Sequence, residues 1–244
     1  MIDHLSFSSI SKYLKCHRQW KHKYIDGWEE KTGDALLFGS AWHKMIRISM
    51  EESSNDFLLW DEFSEKYELS MDLNITGNRM IADSHIKNTI KSLKPMPESI
   101  EKKIELHIPG VEVPIIGYID MIEDETMIPV DFKTSKSKWS VPTEKNNFVG
   151  KADVQLQATF YIAALEQAGM IELPHTFRYI VFTKTSKPTV QILDTVRTAA
   201  DIFELHEMVN DVWSAIKLEA FGKCDPGMWW CSQKWCSFYD RCKS

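Results

Sequence analysis

The chain has 244 residues, of which 43% are hydrophobic and 26% charged, a composition typical of one globular domain with appended helices. Its formal net charge of -6 argues against a general nucleic-acid coat protein, since such proteins carry a basic excess. The sequence opens without an apolar leader and contains no run of about 18 apolar residues, so we expect a soluble cytosolic protein with no membrane contact.

Basic residues nevertheless concentrate in two stretches, which would suit a groove that is basic only along a phosphate track. The first holds Lys12, Lys15, Arg18, Lys21 and Lys23, and the second holds Lys133, Lys136, Lys138, Lys145 and Lys151. A solvated charged surface explains any single one of these lysines equally well.

The N-terminal region predicts helices. Ser6 resembles a helix N-cap, and the apolar spacing from Ile10 to Tyr24 predicts one helix that carries Cys16. Residues 35 to 51 form a second helical candidate, which contains His43. Residues 56 to 74 and 78 to 94 predict two more helices.

The first strand follows two prolines. Pro95 and Pro97 end the helical region, and residues 101 to 108 then predict a strand that contains Glu105. Glu105 could have a functional role, but a simple exposed position on the strand explains it almost as well.

Residues 117 to 134 predict a β-hairpin with an acidic turn at Asp124 and Glu125. Antiparallel pairing about this turn sets Asp131 opposite residues 118 to 120, and so brings it close to Asp120. Asp131 and Lys133 then project from one face of the strand, because side chains alternate along it, while Phe132 points into apolar packing.

Two carboxylates and an ammonium would thus share one patch. Carboxylate oxygens are the ligands that Mg²⁺ or Mn²⁺ requires, and a neighbouring ammonium can orient a water for in-line attack on a phosphodiester. Alone, Asp131-Phe132-Lys133 is weak support for such a site, because a chain with this charge content contains an acidic-x-basic triplet by chance.

The second half of the chain predicts a loop and then more helices and strands. In the loop at 134 to 150, Trp139 either stacks an unpaired base or packs on the domain. A helix at 151 to 168 places Gln157 and Tyr161 on one face. Further elements are predicted as strands at 175 to 184 and 189 to 196 and a helix at 198 to 220.

The C-terminal tail is rich in cysteine. Cys231, Cys236 and Cys242 lie at its end, Cys224 lies just upstream, and Cys16 is at the other end of the sequence. A reducing compartment disfavours disulfides. Thiolates at this spacing ligate either zinc or an iron-sulfur cluster, and the spacing alone does not separate the two.

Several of these motifs together resemble the RecB-like branch of the PD-(D/E)XK nucleases. Gly117-x-x-Asp120 followed by Asp131-Phe132-Lys133 resembles the catalytic core of that branch, although the literal Pro-Asp of the family name is absent. Gly39-x-x-x-His43 and the Gln157/Tyr161 helix occur in the matching order. The resemblance implies an α/β fold like that of restriction endonucleases, in which helices flank a central mixed β-sheet.

The resemblance also implies a set of site residues. Asp120, Asp131 and Lys133 would be catalytic, and Gln157 and Tyr161 would contact the substrate, with Trp139 as a further candidate. The ligands of Mg²⁺ or Mn²⁺ would be Asp120, Asp131, His43 and the backbone carbonyl of Phe132, with Glu105 as a further candidate.

For the cysteines, the resemblance implies a 4Fe-4S cluster held by Cys16, Cys231, Cys236 and Cys242. Members of the branch often have proline where this chain has His17. Cys224 is the spare thiol and could replace Cys16 in a purely local site. Trp229, Trp230 and Trp235 would either shield the cluster from water or simply pack the short tail.

The function expected from this resemblance is that of a metal-dependent DNA exonuclease acting on single-stranded ends in the bacterial cytoplasm, or in the host cytoplasm if the protein is viral. DNA repair, recombination and phage replication are the expected settings. The whole chain would form one nuclease domain, with a helical region at 1–94, the sheet and catalytic helix at 95–197, and a C-terminal helix and iron-sulfur tail at 198–244. An endonuclease or flap-cutting enzyme is an alternative, and a catalytically silent DNA-binding iron-sulfur module is an alternative of another class.

Overall fold

The computed structural model describes residues 2–51, 60–142 and 149–243, which form two compact units. One unit comprises the described residues of Met1–Thr32, Glu105–Gly117 and Ala200–Ser244. The other comprises those of Gly33–Ile104 and Tyr118–Ala199, and it contains both predicted catalytic aspartates. Among the described residues, none of the helices combines the length and the apolar character that crossing a membrane would require.

Helices and strands alternate in the mixed order predicted for an α/β chain. The helices of the described residues are α1 (Phe7–Lys15), α2 (His17–Tyr24), α3 (Asp34–Glu51), α4 (Trp60–Lys66), α5 (Met71–Ala82), α6 (Ser84–Lys91), α7 (Leu156–Gln167), α8 (Ala199–Lys217) and α9 (Tyr239–Lys243). The strands are β1 (Leu5–Ser6), β2 (Lys102–Leu106), β3 (Ile115–Ile119), β4 (Met121–Ile122), β5 (Pro129–Ser135), β6 (His175–Thr183) and β7 (Val190–Arg197).

The strands form two sheets where the sequence predicted one central sheet. A three-stranded sheet has the order β1-β3-β2, and a four-stranded sheet has the order β4-β5-β6-β7. The division falls at Asp120, the single residue between β3 and β4. The four-stranded sheet is mixed, because β5 runs parallel to β6 and antiparallel to β4.

The N-terminal segment is two helices rather than the single helix predicted. Ser6 caps α1 as expected, since its hydroxyl accepts a hydrogen bond from the N–H of Ser9. Cys16 then adopts an extended conformation, with φ -163° and ψ 109°, and separates α1 from α2. His17 is therefore the first residue of α2, the position where a proline fits best, so this chain makes the break without one.

Three short helices, α4 to α6, replace the two predicted over 56 to 74 and 78 to 94, and residues 56–59 lie outside the described residues. Glu68 has a left-handed φ of 51° just after α4, which prevents the helix from continuing. Asp83 stops α5 and caps α6, because its carboxylate accepts hydrogen bonds from the N–H groups of His85 and Ile86.

The core of the second unit lies between α3 and β5 and β6. Phe38, Ala41, Trp42, Met45 and Ile46 recur at helical spacing along α3 and are buried. Phe132 and Phe182, on the neighbouring strands β5 and β6, belong to the same apolar cluster. This packing fixes α3, and with it His43, against the strand that carries Asp131.

Gly77 and Trp60 make a second close contact in this core, and it allows a prediction about overpacking. A Cβ added at Gly77 would lie 1.9 Å from Cε2 of Trp60, a fully buried ring whose Nε1–H donates to the carbonyl of Asn74. We expect Gly77→Ala to destabilise the protein by about 1–3 kcal/mol through overpacking, which outweighs a helix-propensity gain of about 0.5–1 kcal/mol. Chemical denaturation measures the difference.

Gly222→Ala is the matched control, since a Cβ there meets no atom within 4 Å and the residue has no positive φ. Its effect should remain within about 0.5 kcal/mol. A Gly77→Ala protein as stable as the wild type would show that this contact is not tight.

Candidate active site

The two aspartates face each other across the hairpin. Met121 pairs with Val130 in the antiparallel register of β4 and β5, so the next pair outward is Asp120 and Asp131. The sequence predicted that Asp131 lies opposite residues 118 to 120, and Asp120 is the last residue of that range. Both residues lie in the second unit, on backbone that the sheet holds in place.

The Asp120 carboxylate is oriented by two contacts. Its Oδ2 accepts a hydrogen bond of 2.7 Å from the backbone N–H of Phe132, and its Oδ1 lies 3.2 Å from Nδ1 of His43. The first contact ties Asp120 to β5, and the second ties it to α3. His43 was predicted from the Gly39-x-x-x-His43 segment, and the structure places its side chain against this carboxylate.

Asp131 is the buried member of the pair. The residue is 3% exposed, and its Oδ1 accepts a hydrogen bond of 2.7 Å from Nε2 of Gln157. Its Oδ2 lies 2.7 Å from the ammonium of Lys133, an ion pair, but has no hydrogen-bond partner among the described residues. Lys133 and Asp131 therefore share one face of β5, as predicted, while Phe132 is buried on the other.

Gln157 and Tyr161 extend the contacts from Asp131 to β3. Nε2 of Gln157 also lies 3.1 Å from the Tyr161 hydroxyl, which in turn donates to the backbone carbonyl of Tyr118 at 2.8 Å. Both side chains are nearly buried, at 8% and 5% exposure. In this structure they orient the Asp131 carboxylate and the chain just before Asp120.

Burial and charge shift the acid-base behaviour of this group. Burial raises the pKa of Asp131, the Lys133 ammonium opposes that shift, and the Asp120 carboxylate adds to it. Burial acts to lower the pKa of His43, but the nearby Asp120 carboxylate outweighs it, so that the pKa is raised. Burial also raises the pKa of Tyr161, which keeps its hydroxyl protonated as a donor.

Sequence reasoning missed Arg197, which fixes the start of the Gln157/Tyr161 helix. This arginine is 4% exposed and donates to the Thr159 hydroxyl at 2.8 Å and to the carbonyls of Asp153 and Gln155 at 2.9 and 3.2 Å. No sequence motif marks it, because a lone arginine at the end of a strand usually lies in solvent.

The donor set of this site fits a hard divalent cation. Two carboxylates and an imidazole lie together, and the carbonyl of Phe132 points to the same side of β5 as its N–H, toward Asp120. Asp131 Oδ2 is a buried oxygen with lone pairs available. Even so, the described residues contain no group of three or more His, Cys, Asp or Glu side chains already arranged to hold a metal ion.

The remaining two candidates are Glu105, considered as a metal ligand, and Trp139, considered as a substrate contact. Glu105 is an exposed residue of β2 whose Oε2 lies 3.8 Å from His107, and it belongs to the first unit. Trp139 is 7% exposed, packs on Tyr179, and lies beneath the ammonium of Lys151. Its ring is therefore packed on the domain, the second of the two roles considered for it.

The five cysteines gather in the first unit, around one cavity of about 140 Å³. Its walls include the thiols of Cys16, Cys224, Cys231, Cys236 and Cys242. Nε2 of Gln19 lies 3.7 Å from Sγ of Cys236. Because no group of three metal-holding side chains is found among the described residues, the arrangement does not by itself support the 4Fe-4S cluster.

Cys224, the spare thiol of the sequence, lies in this cavity with the others. Its side chain is hydrogen-bonded to those of Cys16 and Cys231, and burial together with these contacts raises its pKa to about 12. Of the three tail tryptophans, Trp230 lines the cavity, whereas Trp229 and Trp235 are 63% and 52% exposed. Trp230 is therefore the only one of the three placed to cover the cavity in the described part of the chain.

Comparison with known proteins identifies the class. Residues 4–243 match the model of the PD-(D/E)XK nuclease superfamily. The chain therefore belongs to this superfamily, whose nucleases are hydrolases that act on DNA and typically use divalent metal ions such as Mg²⁺. No curated protein matches the sequence.

A solved structure shares the fold. A crystal structure of "Putative exonuclease" from Eubacterium rectale has a TM-score of 0.62 at 15% identity, covering 91% of this chain and 85% of its own. A structure named SSO0001 covers 95% of this chain and 92% of its own at 15% identity, but its TM-score of 0.39 is too low to support an argument.

The burial of Asp131 predicts a stability effect. An ionised, buried carboxylate that the fold does not fully satisfy costs stability, so we expect Asp131→Asn to stabilise the metal-free protein by about 1 kcal/mol or more at pH 7. Because the pKa is raised in the folded chain, the cost is absent below the ordinary pKa of 3.8 and grows as the pH rises through the raised value. Unfolding temperatures from pH 4 to 8, with chelator present, measure it.

Asp211→Asn, an exposed aspartate on α8, is the control and should show no such growth with pH. If Asp131→Asn were less stable than the wild type at pH 7, the Lys133 ion pair would outweigh the cost of burial.

Proposed function

We propose that this protein is a metal-dependent DNA exonuclease of the RecB-like branch, which hydrolyses phosphodiester bonds from single-stranded ends. The observation that carries the proposal is the pairing of Asp120 and Asp131 across the hairpin, with Lys133 on one carboxylate and His43 on the other. The printed name of the E. rectale structure, an exonuclease, points the same way.

In this proposal each residue has one task. Asp120, Asp131, His43 and the Phe132 carbonyl would hold Mg²⁺ or Mn²⁺, and the ion would supply Lewis-acid polarisation of the scissile phosphate. Lys133 would orient the attacking water with its ammonium and stabilise the hydroxide that develops as the water's proton passes to solvent. Gln157 keeps Asp131 in position, and Tyr161 keeps Gln157 in position.

The preference for a single strand rests on substrate access. The helices between residues 35 and 94 precede the sheet and offer enough material for an arch over the site, and a narrow passage admits a single strand but not a duplex. Lys136 and Lys138 follow Lys133 and are exposed, where they can hold phosphates along the strand.

For the cysteines we propose a structural 4Fe-4S cluster held by Cys16, Cys231, Cys236 and Cys242, on the strength of the family resemblance together with the gathering of these residues around one cavity. Four cysteine thiolates are the usual ligands of such a cluster, and its size spreads them farther apart than a single ion would. Thiols from both ends of the chain line this one cavity. We place the enzyme in the cytoplasm of a bacterium or of a phage-infected host, acting in DNA repair, recombination or phage DNA processing.

The activity is tested by digestion of end-labelled DNA with Mg²⁺ or Mn²⁺. Linear single strands should be degraded from an end, closed single-stranded circles should resist, and blunt duplex should be cut slowly. Raised salt should slow the reaction, because phosphate contacts weaken. Asp120→Ala, Asp131→Ala and Lys133→Ala should each lower the rate by at least about a hundredfold.

Lys187→Ala, which removes an exposed lysine from the turn between β6 and β7, should retain the wild-type rate. Full activity in Asp131→Ala or Lys133→Ala would refute the site. Rapid linearisation of closed circles would instead identify an endonuclease, and binding without any cleavage would identify the silent DNA-binding module.

The cluster is tested by metal content. Protein purified in air should be brown and contain iron, and Cys16→Ala and Cys236→Ala should lose both the colour and several degrees of Tm, because cluster binding orders the tail. Cys224→Ser should retain the iron. Colourless protein with stoichiometric zinc would contradict the cluster, and iron that survives Cys16→Ala but not Cys224→Ser would change the fourth ligand.

A further inference from the structure

Lys136 and Lys184 are neighbours at the ends of two parallel strands. The register of β5 and β6 ends with Ser135 opposite Thr183, and the N–H of Lys184 donates to the carbonyl of Ser135 at 2.7 Å. The next residues on the two strands are therefore the two lysines. Adjacent strands lie about 4.8 Å apart, so two like charges begin from neighbouring backbone positions.

This lysine pair has no acidic partner in the described part of the chain, where no carboxylate lies within ion-pair distance of either ammonium. Lys184 is half-buried, and its ammonium lies 4.8 Å from the ring centre of Phe38. Burial lowers the pKa of Lys184, and the charge of Lys136 lowers it further. The folded chain thus keeps two cations together at a cost, which a bound anion would remove.

The lysine pair lies close to the catalytic residues along α3. Three residues of α3 link the two places. Phe38 lies under Lys184, and Gly39 lies next to Thr134, since a Cβ added at Gly39 would stand 3.7 Å from the Thr134 Oγ1. His43 contacts Asp120. His43 lies five residues after Phe38, which corresponds to about 7.5 Å along the helix axis. The pair is therefore about one and a half helical turns along α3 from the site proposed for the scissile phosphate.

A purely structural role explains only part of this arrangement. The contact with Phe38 would account for Lys184, because an ammonium over an aromatic face is favourable. The contact with Phe38 does not account for Lys136, whose positive charge repels that of Lys184. Two neighbouring ammonium groups without an acidic partner among the described residues can each donate to one of the two non-bridging oxygens of a phosphodiester group.

We propose that Lys136 and Lys184 bind one non-scissile backbone phosphate of the DNA strand and thereby position the neighbouring phosphate over Asp120 and Asp131. The inference rests on the proposed function, because it takes the scissile phosphate to lie at those carboxylates. It assigns the two lysines a positioning role, which should affect KM more than kcat.

The test is DNA binding without cleavage. In an Asp131→Asn background, anisotropy of a fluorescent single-stranded oligonucleotide is measured over a salt series. Lys136→Gln and Lys184→Gln should each weaken binding about 5- to 10-fold at low salt. Each should also reduce the slope of log affinity against log salt concentration by about one, the amount expected for one lost phosphate contact. The double variant should lose little more, because both lysines bind one phosphate. Lys187→Gln is the matched control and should bind like the parent.

Oligonucleotides with one neutral methylphosphonate linkage locate the contact. The parent should lose affinity at one linkage position, and Lys184→Gln should no longer respond to that linkage. Because the lysines repel each other, Lys184→Gln should have an unchanged or higher Tm. A lower Tm with weaker binding would show a structural role and overturn the proposal.

The failure of this inference differs from the failure of the proposed function. If the wild type degrades DNA while Lys136→Gln and Lys184→Gln bind and cleave like Lys187→Gln, the phosphate site is refuted and the nuclease assignment stands. If the wild type neither binds nor cleaves DNA, both are refuted.

Discussion

The arrangement of the candidate site depends on the buried carboxylate of Asp131. One of its oxygens is held by Gln157, and the other faces the Lys133 ammonium without a hydrogen bond among the described residues. A carboxylate in this position is costly unless a cation compensates it. Lys133 compensates it only in part, and under the proposed function it would exchange with a metal ion without a change of fold, because it is attached to the same strand.

The surrounding structure makes this exchange possible by holding the backbone still. Phe132 separates the two residues, and its buried ring contacts Phe182 and His43 within the apolar cluster that also holds Trp42, which resists a shift of β5 along its length. On the other side, Arg197 fixes the chain just before α7, and α7 carries Gln157. Asp120 then completes the group from the break between β3 and β4, where its carboxylate accepts from the Phe132 N–H.

Much of this could be predicted from local sequence. Strand alternation and an acidic turn placed Asp131 opposite residues 118 to 120, a range that includes its observed partner Asp120. The helical spacing of Gln157 and Tyr161 likewise placed them on one face. The extended backbone at Cys16, the three short helices α4 to α6 and the break at Asp120 could not be predicted, because they depend on caps and on single backbone angles. Arg197 and Lys184 act through residues distant in sequence, and no local pattern marks them. Lys136 belongs to a basic stretch of the sequence, but its place beside Lys184 follows only from the strand register.

The central claim is that Asp120 and Asp131 bind one ion together, and a double-mutant cycle of Mn²⁺ affinity tests it most directly. The affinities of the wild type, Asp120→Asn, Asp131→Asn and the double variant are measured by calorimetric titration without DNA. The account predicts that each single variant loses at least about tenfold in affinity and that the double variant loses little more, because both carboxylates serve the same ion. Losses that simply add, or single variants that bind Mn²⁺ like the wild type, would contradict it.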